Sequence, residues 1–356
     1  RAMAKAGGWP DVPTGPKLEP GAVEEQRIPA LRRRLAVTGE YAGGALESPI
    51  YDEELVAAVK RFQYRHGLNE DGILGVRTQL ALNVTVQGRI DQITANLERW
   101  RWIPRSLEPR HIAVNVAAGW LELVDNGAAV LSMKVIVGDP KHPTPALRDS
   151  VTSVVFNPPW NVPYSIATKE LLPILRQKPN YLTANNIRII RDDTASGIED
   201  EALSLSENAP TRFRLRQDPG PENSLGRLKF NMPNGMNIYL HDTNGKRLFA
   251  RDMRALSHGC VRLEMPVDLA ANLLSGKTPW TPESVTQTIK ENTTRTIPLT
   301  KPVPVYLLYW TAWVGPDGSM QFREDVYGRD RRLRAGVTDR NKARQVLARN
   351  TQPVIR

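Results

Sequence analysis

The hydrophobic pattern of the chain changes its period near residue 110, and this change constrains the fold more than any other feature. Before it, apolar residues such as Leu55, Val59 and Phe62 recur at i, i+4 and i+7, the spacing of one helix face. After it, strand-like runs follow at 112–116, 121–124 and 132–137, and Asp125-Asn126-Gly127 is a hairpin signal between two of them. We therefore predict a multidomain α+β protein: a small helical module followed by a mainly β, largely antiparallel domain.

The length of 356 residues favours two or three folded units. A scaffold helix is predicted after the helical module, with Ile90, Ile93, Leu97 and Trp100 on one packing side, and Asp52 is a plausible N-cap within the module. The predicted division is 1–27 as an extended lead-in, 28–85 as a three-helix module, 86–110 as the scaffold helix, 111–335 as the β domain and 336–356 as a polar tail.

A segment at about 164–207 interrupts the strand pattern. It begins with helix-like apolar residues around Leu171 to Leu175 and continues into polar, acidic sequence. A long insertion in a compact β domain is uncommon without a role, and a lid over an active site is one such role. We predict a helical or loop-rich capping insertion, with an ordinary surface excursion as the alternative.

The charge balance favours an anionic partner. Lys and Arg number 48 against 38 Asp and Glu, which gives a net charge of +10. The basic residues are spread along the chain without a nucleic-acid-binding motif, so we predict no nucleic acid partner and retain a polyanionic wall or plain solvated charge. No apolar run approaches the roughly 20 residues that cross a bilayer. We expect this form not to be integral to a membrane, with a leader removed.

The chain has a single cysteine, Cys260, which excludes an internal disulfide and a multi-cysteine zinc site. It lies in Ser257-His258-Gly259-Cys260-Val261-Arg262-Leu263. A thiol of ordinary pKa, about 8.5, is mostly protonated at neutral pH and needs a nearby base to become a nucleophile. His258 and His241 are the candidates, and we prefer His241 because its strand could pair beside the cysteine segment.

The neighbours of the cysteine suggest further roles. Gly259 permits close approach of a substrate, and the amides of Gly259 and Cys260 could form an oxyanion hole. Arg262 could hold a substrate carboxylate or pair with an internal acid, and Ser257 satisfies a turn amide. No metal or cofactor is predicted. The remaining histidines are interpreted as surface or packing residues: His66, His111 and His142.

Two known families resemble parts of this chain. His241, fifteen further residues and Ser257-His258-Gly259-Cys260 resemble the signature of the L,D-transpeptidase (YkuD-type) catalytic domain. The helical module resembles the peptidoglycan-binding module of wall enzymes through Val59, Phe62-Gln63, Gly67-Leu68, Asp71-Gly72-Ile73, Gly75, Thr78 and Leu82. The arrangement is most similar to the larger periplasmic enzymes of the YcbB type. Further matches lie at Phe156 to Trp160, Ser224 to Gly226, Lys229-Phe230, Tyr239 to Asp242 and Tyr309-Trp310.

The resemblance implies an acyl transfer on peptidoglycan stem tetrapeptides. Cys260 would attack the carbonyl of the third stem residue, meso-diaminopimelate, and expel the terminal D-Ala. The amine of a neighbouring stem would then resolve the thioester and create a 3-3 crosslink. Further implied partners are glycan strands, carbapenems that acylate Cys260, and other wall-synthesis enzymes, and the implied compartment is the Gram-negative periplasm.

The same resemblance assigns roles to individual residues. His241 would be the general base, oriented by a backbone carbonyl near Asp242, whose side chain is a further candidate. The oxyanion and substrate region would be shaped by His258, Gly259, Arg262 and Tyr239. Trp160 would line the donor cleft, although Trp160 and Tyr239 could equally be core aromatics.

Several alternatives remain open at this point. With water as acceptor the protein would be an L,D-carboxypeptidase, and with a lipoprotein lysine it would be an anchoring enzyme. A noncatalytic peptidoglycan-binding protein is an alternative from another class. A papain-like protease is disfavoured because its cysteine precedes its histidine. A metal site of His241, His258 and Cys260 is disfavoured because no further ligand stands at a suitable spacing.

Overall fold

The computed structural model describes residues 2–191, 213–276 and 280–336. Its first part is helical, with α1 (Ala2–Lys5), α2 (Arg27–Val37), α3 (Glu53–His66), α4 (Val76–Leu82) and α5 (Val86–Trp100). Helices α2 to α4 enclose one apolar core, in which Leu31, Leu55 and Phe62 are almost fully buried. The side chain of Asp52 accepts a hydrogen bond from the Leu55 amide, so the predicted N-cap of α3 is confirmed.

Helix α5 packs differently from the prediction. Leu97 and Trp100 are exposed, whereas the buried side includes Arg89, Gln92 and Asn96. Gln92 Nε2 donates to the Thr311 carbonyl at 2.8 Å and to the Arg323 carbonyl at 2.7 Å. The apolar spacing was a misleading signal here, because the neighbouring surface offers backbone carbonyls rather than an apolar face.

The second part is built on one large sheet. Its strands are β1 (Arg110–Asn115), β2 (Trp120–Asp125), β3 (Ala128–Gly138), β4 (Leu147–Phe156), β8 (Leu228–Asn231), β9 (Leu240–His241), β10 (Ala255–Ser257), β11 (Val261–Leu263) and β12 (Arg295–Leu308). The order is β10-β3-β11-β9-β8-β4-β12-β1-β2, and β2 also pairs with β3, so the sheet closes on itself. Most neighbours are antiparallel, with parallel pairs at β1–β12, β9–β11 and β3–β10.

The sheet surrounds the main core together with α9 (Pro266–Leu274) and α10 (Pro282–Lys290). The hairpin between β2 and β3 turns at Asn126 and Gly127, with φ values of 49° and 84°. Two successive positive φ angles are what a tight two-residue hairpin requires, so the Asp-Asn-Gly signal is confirmed. A short pair, β13 (Ala312–Val314) and β14 (Met320–Phe322), contacts α3 and α5, and residues 329–336 form the last helix, α11.

A smaller unit with its own apolar core is formed by the part of the chain between β4 and β8. It contains α6 (Tyr164–Ile166), a π-helical turn (Ala167–Leu171), α7 (Leu172–Gln177), α8 (Tyr181–Ala184) and a sheet in the order β5 (Trp160–Asn161), β7 (Phe213–Gln217), β6 (Ile187–Arg191). We call this unit the cap. The sheet of the cap includes strands on both sides of the insertion predicted at about 164–207. Strand β5 precedes that segment and strand β7 follows it. Residues 192–212 and the tail from 337 lie outside the described residues.

The predicted fold class is confirmed: a helical module precedes a mainly β domain in a multidomain α+β chain. Among the helices described, none has the length and apolar character needed to cross a membrane.

Candidate active site

Three adjacent strands, β8, β9 and β11, carry apolar side chains on one face and reactive ones on the other. The ladder aligns Phe230, Leu240 and Val261 in one rung, and all three are fully buried in the main core. The next rung aligns Lys229, His241 and Arg262. Because side chains alternate along a strand, Tyr239 and Cys260 lie on the same face as this second rung. We call this face, with Lys229, Tyr239, His241, Cys260 and Arg262, the reaction face.

Cys260 is partly buried just before β11. Its thiol donates a hydrogen bond to the Asn237 carbonyl at 3.5 Å, and the following amide, Val261 N–H, donates to the Tyr239 carbonyl at 3.1 Å. Burial raises the pKa of the Cys260 thiol, while Tyr239, Lys229 and Arg262 oppose that rise. The resting thiol is therefore protonated at neutral pH, with positive groups nearby to favour the thiolate.

His241 lies between Lys229 and Arg262 in its rung and is 4% exposed. Burial, with a further contribution from Arg262, lowers the pKa of His241 to about 3, so the imidazole is neutral at pH 7. Backbone groups of Asp242 and Leu225 oppose this lowering of the pKa, although the buried Nδ1 makes no well-aligned hydrogen bond among the described residues. In the same ranges no hydrogen bond joins His241 to Cys260; the two groups sit on neighbouring strands, one diagonal step apart on a shared face.

Lys229 was matched in the sequence only as part of a family motif, and the structure brings it to the reaction face. Its Nζ lies 4.4 Å from the centroid of the Tyr239 ring. Burial lowers the pKa of Lys229, and the Cys260 thiolate would raise it. The signal that could have found this residue is alternation: Lys229 stands between the buried Leu228 and Phe230 and must point to the other face.

The loop that presents Cys260 is held by side chains on both sides. The Gly259 amide donates to Ser257 Oγ at 3.1 Å, and Ser257 Oγ donates to the Cys260 carbonyl at 2.6 Å. The interpretation of Ser257 as a turn residue is confirmed. The Gly259 amide is thus engaged by Ser257 in this conformation, and its place in an oxyanion hole stays a prediction. Gly259 has a φ of +110°, which a side chain would strain, and its carbonyl accepts a hydrogen bond from Thr144 Oγ1 at 2.7 Å.

His258 reaches out of this loop to the cap. Its Nε2 lies 2.6 Å from Glu170 Oε1, in the π-helical turn of the cap. The His142 ring lies 4.7 Å from the His258 ring and is itself 3.1 Å from Asp139. The sequence interpretation placed His142 among ordinary surface or packing residues, and it missed this contact beside the cysteine loop. His66 and His111 do pack against aromatic rings, Phe62 and Tyr306.

Two predicted site residues have other contacts. The Asp242 carboxylate accepts the Arg227 amide at 2.8 Å and pairs with Lys246 at 2.6 Å. These contacts hold its side chain in the scaffold, and the candidate role of that side chain at the site stays a prediction. Trp160 is half-buried against the core of the cap, which fits the alternative of a packing residue.

The described ranges contain no cluster of three His, Cys, Asp or Glu residues able to hold a metal ion. The reaction face instead combines one nucleophile, one neutral base and two cations. That set suits acyl transfer through a covalent thioester, because the thiol can attack, the imidazole can take its proton and the cations can stabilise negative charge.

Two family models match the chain. Residues 109–286, half of the chain, match the model described as the L,D-transpeptidase catalytic domain, YkuD. Residues 24–82 match the model described as "Putative peptidoglycan binding domain".

A Haemophilus influenzae protein described as "Putative L,D-transpeptidase" is 36% identical over 244 residues, which cover 68% of this chain and 48% of that protein. The chain therefore spans about half the length of this curated relative.

Two solved structures show weak similarity to this chain. The L,D-transpeptidase of Xylanimonas cellulosilytica (residues 123–326) is 16% identical, covers 83% of this chain and 99% of its own, and has a TM-score of 0.26. That of Stackebrandtia nassauensis is 14% identical, covers 84% and 96%, and has a TM-score of 0.30. The match over residues 109–286 includes the whole reaction face, and on that match the chain belongs to the L,D-transpeptidase (YkuD) family.

Proposed function

We propose that this protein is an L,D-transpeptidase that forms 3-3 crosslinks between meso-diaminopimelate residues of peptidoglycan stems, through a thioester on Cys260. The observation that carries the proposal is the reaction face, where Cys260, His241, Lys229 and Arg262 converge above a fully apolar rung. The family match supports the reaction class. The module that matches a peptidoglycan-binding domain supports the choice of substrate.

In the first half-reaction, the Cys260 sulfur attacks the carbonyl carbon of meso-diaminopimelate in a donor tetrapeptide. The thiol proton passes to His241 as the S–C bond forms. Arg262 and Lys229 favour the thiolate and offset the negative charge of the tetrahedral intermediate. The C–N bond to D-Ala then breaks, and the departing amine takes the proton from His241. A buried imidazolium of low pKa gives up that proton readily.

In the second half-reaction, the side-chain amine of a neighbouring stem attacks the thioester carbonyl. The amine proton passes to His241 as the new C–N bond forms. The S–C bond breaks, and the Cys260 thiolate takes the proton from His241, which restores both groups. The net change exchanges one amide for another, so no cofactor is needed.

The test is incubation of the protein with purified tetrapeptide muropeptides, followed by mass spectrometry. Wild type should yield 3-3 dimers and free D-Ala, and Cys260→Ser should yield neither. His241→Gln should lose the reaction, while the matched control His111→Gln, a buried histidine packed on Tyr306, should retain it.

Other products would select other functions. Hydrolysed tripeptides without dimers would reject crosslinking in favour of an L,D-carboxypeptidase. Joining of the donor stem to a lysine peptide would indicate a lipoprotein-anchoring enzyme. Binding of muropeptides without any turnover would leave a noncatalytic wall-binding protein.

Two further properties belong to the same proposal. A carbapenem should acylate Cys260, because its strained carbonyl is open to the same sulfur, and the mass adduct should be absent in Cys260→Ala. The proposed compartment is the periplasm of a Gram-negative cell, where the proposed substrate lies. Fractionation of cells that express the full-length protein tests this, and recovery in the cytoplasm would reject it.

A further inference from the structure

A cavity lies apart from the reaction face, where the segment after α5, the start of β4, the end of β12 and α11 meet. Its volume is about 700 Å³, within the size range of sites for small ligands. Much of its wall is apolar, with Leu147, Leu307 and Leu333 among the aliphatic side chains and Trp102 and Trp310 among the aromatic ones. We call this cavity the arginine groove because four arginines also line it.

The four arginines are Arg99, Arg148, Arg329 and Arg332, and no acidic side chain is among the described residues of the lining. Carboxylates behind the wall neutralise two of them: Asp330 lies 2.6 Å from Arg99, and Glu108 lies 2.6 Å from Arg148. Arg329 and Arg332 donate to backbone carbonyls and form no ion pair within the described ranges. The groove therefore keeps an excess of positive charge.

Arg99 adds an independent observation that points to an anionic ligand. Its side chain is almost entirely buried, with 7% of the residue exposed. Its Nη2 has no hydrogen-bond partner among the described residues. A buried guanidinium N–H without an acceptor is costly, and an anionic group in the groove would supply one.

The lining also restricts the body of that ligand. A sugar would need acceptors for its hydroxyl groups, and the side chains described here supply donors and hydrocarbon but no carboxylate or amide oxygen. An aliphatic chain has no hydrogen bonds to lose on entering the groove, and its transfer out of water is favourable in free energy. A cation would be repelled. We propose that the arginine groove binds an anionic amphiphile of the fatty-acid class, with a carboxylate near Arg99 and Arg332 and its chain along the apolar wall.

This site is separate from the proposed transfer reaction and can be tested without it. Trp102 and Trp310 line the groove, so binding of dodecanoate below its micellar concentration should change tryptophan fluorescence, and calorimetry should show one saturable site on the full chain. Hexanoate should bind at least about tenfold more weakly, because it buries six fewer methylene groups. Dodecyltrimethylammonium should not bind.

Two variants locate the site. Ala146→Trp, at the exposed rim, should block it, and Arg148→Gln with Arg332→Gln should raise the dissociation constant about tenfold. Arg329 is left intact because it donates to the carbonyl of Thr144, and the hydroxyl of Thr144 donates to the Gly259 carbonyl in the cysteine loop. The matched control, Arg247→Gln with Arg295→Gln, removes the same charge from exposed positions outside the groove and should bind as wild type does.

Equal weakening in the control pair would mean that dodecanoate binds to general surface charge, and the proposal would fail. Unchanged binding in both groove variants would place the ligand elsewhere. Preferential binding of a muropeptide that dodecanoate cannot displace would replace the amphiphile with a glycopeptide and also overturn it.

Discussion

The two faces of β8, β9 and β11 share one backbone and differ in almost everything else. On the core side, Phe230, Leu240 and Val261 are fully buried among other apolar groups. On the reaction face, His241 and Arg262 keep buried nitrogen atoms that make no well-aligned hydrogen bond among the described residues. Buried ionisable groups with incomplete partners lower stability and cluster at functional sites. The core face therefore stabilises the domain, whereas the reaction face contains buried ionisable groups that lower the stability and can serve a reaction.

The strongest test of this division is Cys260→Ala. On the proposed mechanism the variant should lose at least about 10³-fold in transfer activity, because no other group can form the thioester. Its thermal stability should stay within about 2 °C of wild type, because a partly buried thiol on the reaction face contributes little packing. Product mass spectrometry and a thermal melt measure the two properties. Loss of both together would mean that the reaction face is structural.

Leu240→Ala, one rung away, should behave in the opposite way. The residue is fully buried in the main core, so the substitution should cost about 3 kcal/mol of unfolding free energy. Chemical denaturation gives the value. Leu97→Ala, at a position that is 62% exposed, is the matched control and should cost well under 1 kcal/mol. A small loss at Leu240 would contradict the rigid core face.

The pH dependence of stability should carry the signature of His241. Its pKa in the folded protein is about 3, below the ordinary value near 6.5, so between these limits the unfolded chain binds a proton that the folded chain does not. Stability should therefore fall as the pH drops through this window, by up to about 1.4 kcal/mol per pH unit from this group. His241→Gln should flatten the curve, and denaturant midpoints from pH 7 to pH 4 would reveal it. Parallel curves for the two proteins would show that the imidazole titrates normally.

The smallest expected effect concerns Lys229. Lys229→Met removes a cation that lowers the pKa of Cys260, so that pKa should rise and alkylation of the thiol by iodoacetamide at pH 8 should slow by about three- to tenfold. The variant should be no less stable, because it also removes a partly desolvated charge. Lys134→Met, on β3, serves as a charge-matched control and should react as wild type does. Faster alkylation in Lys229→Met would contradict the assigned direction.

Local patterns predicted much of the fold and part of the site. The alternation after residue 110, the Asp-Asn-Gly turn and the Asp52 cap depend on neighbouring residues and were confirmed in the structure. The placement of His241 beside the cysteine segment also followed from strand pairing, and the two strands do pair.

The missed features depend on partners distant in sequence. Helix α5 buries its polar side because Thr311 and Arg323, more than 200 residues away, present carbonyls to it. His258 contacts Glu170 because the cap folds over the loop, and no periodicity encodes that contact. The engaged amide of Gly259 depends on the rotamer of Ser257, which sequence spacing does not specify.

The polar contact of α5 also has a mechanical consequence. Apolar surfaces can slide past each other at little cost, whereas the bonds from Gln92 and Asn96 to Thr311 are directional and break when the helix rotates or shifts. The module that matches a peptidoglycan-binding domain ends at residue 82, and α5 begins at Val86. On the proposed function, a wall strand bound by the module would therefore reach the reaction face at a fixed distance and angle, and α5 would set where along the strand a bond is formed.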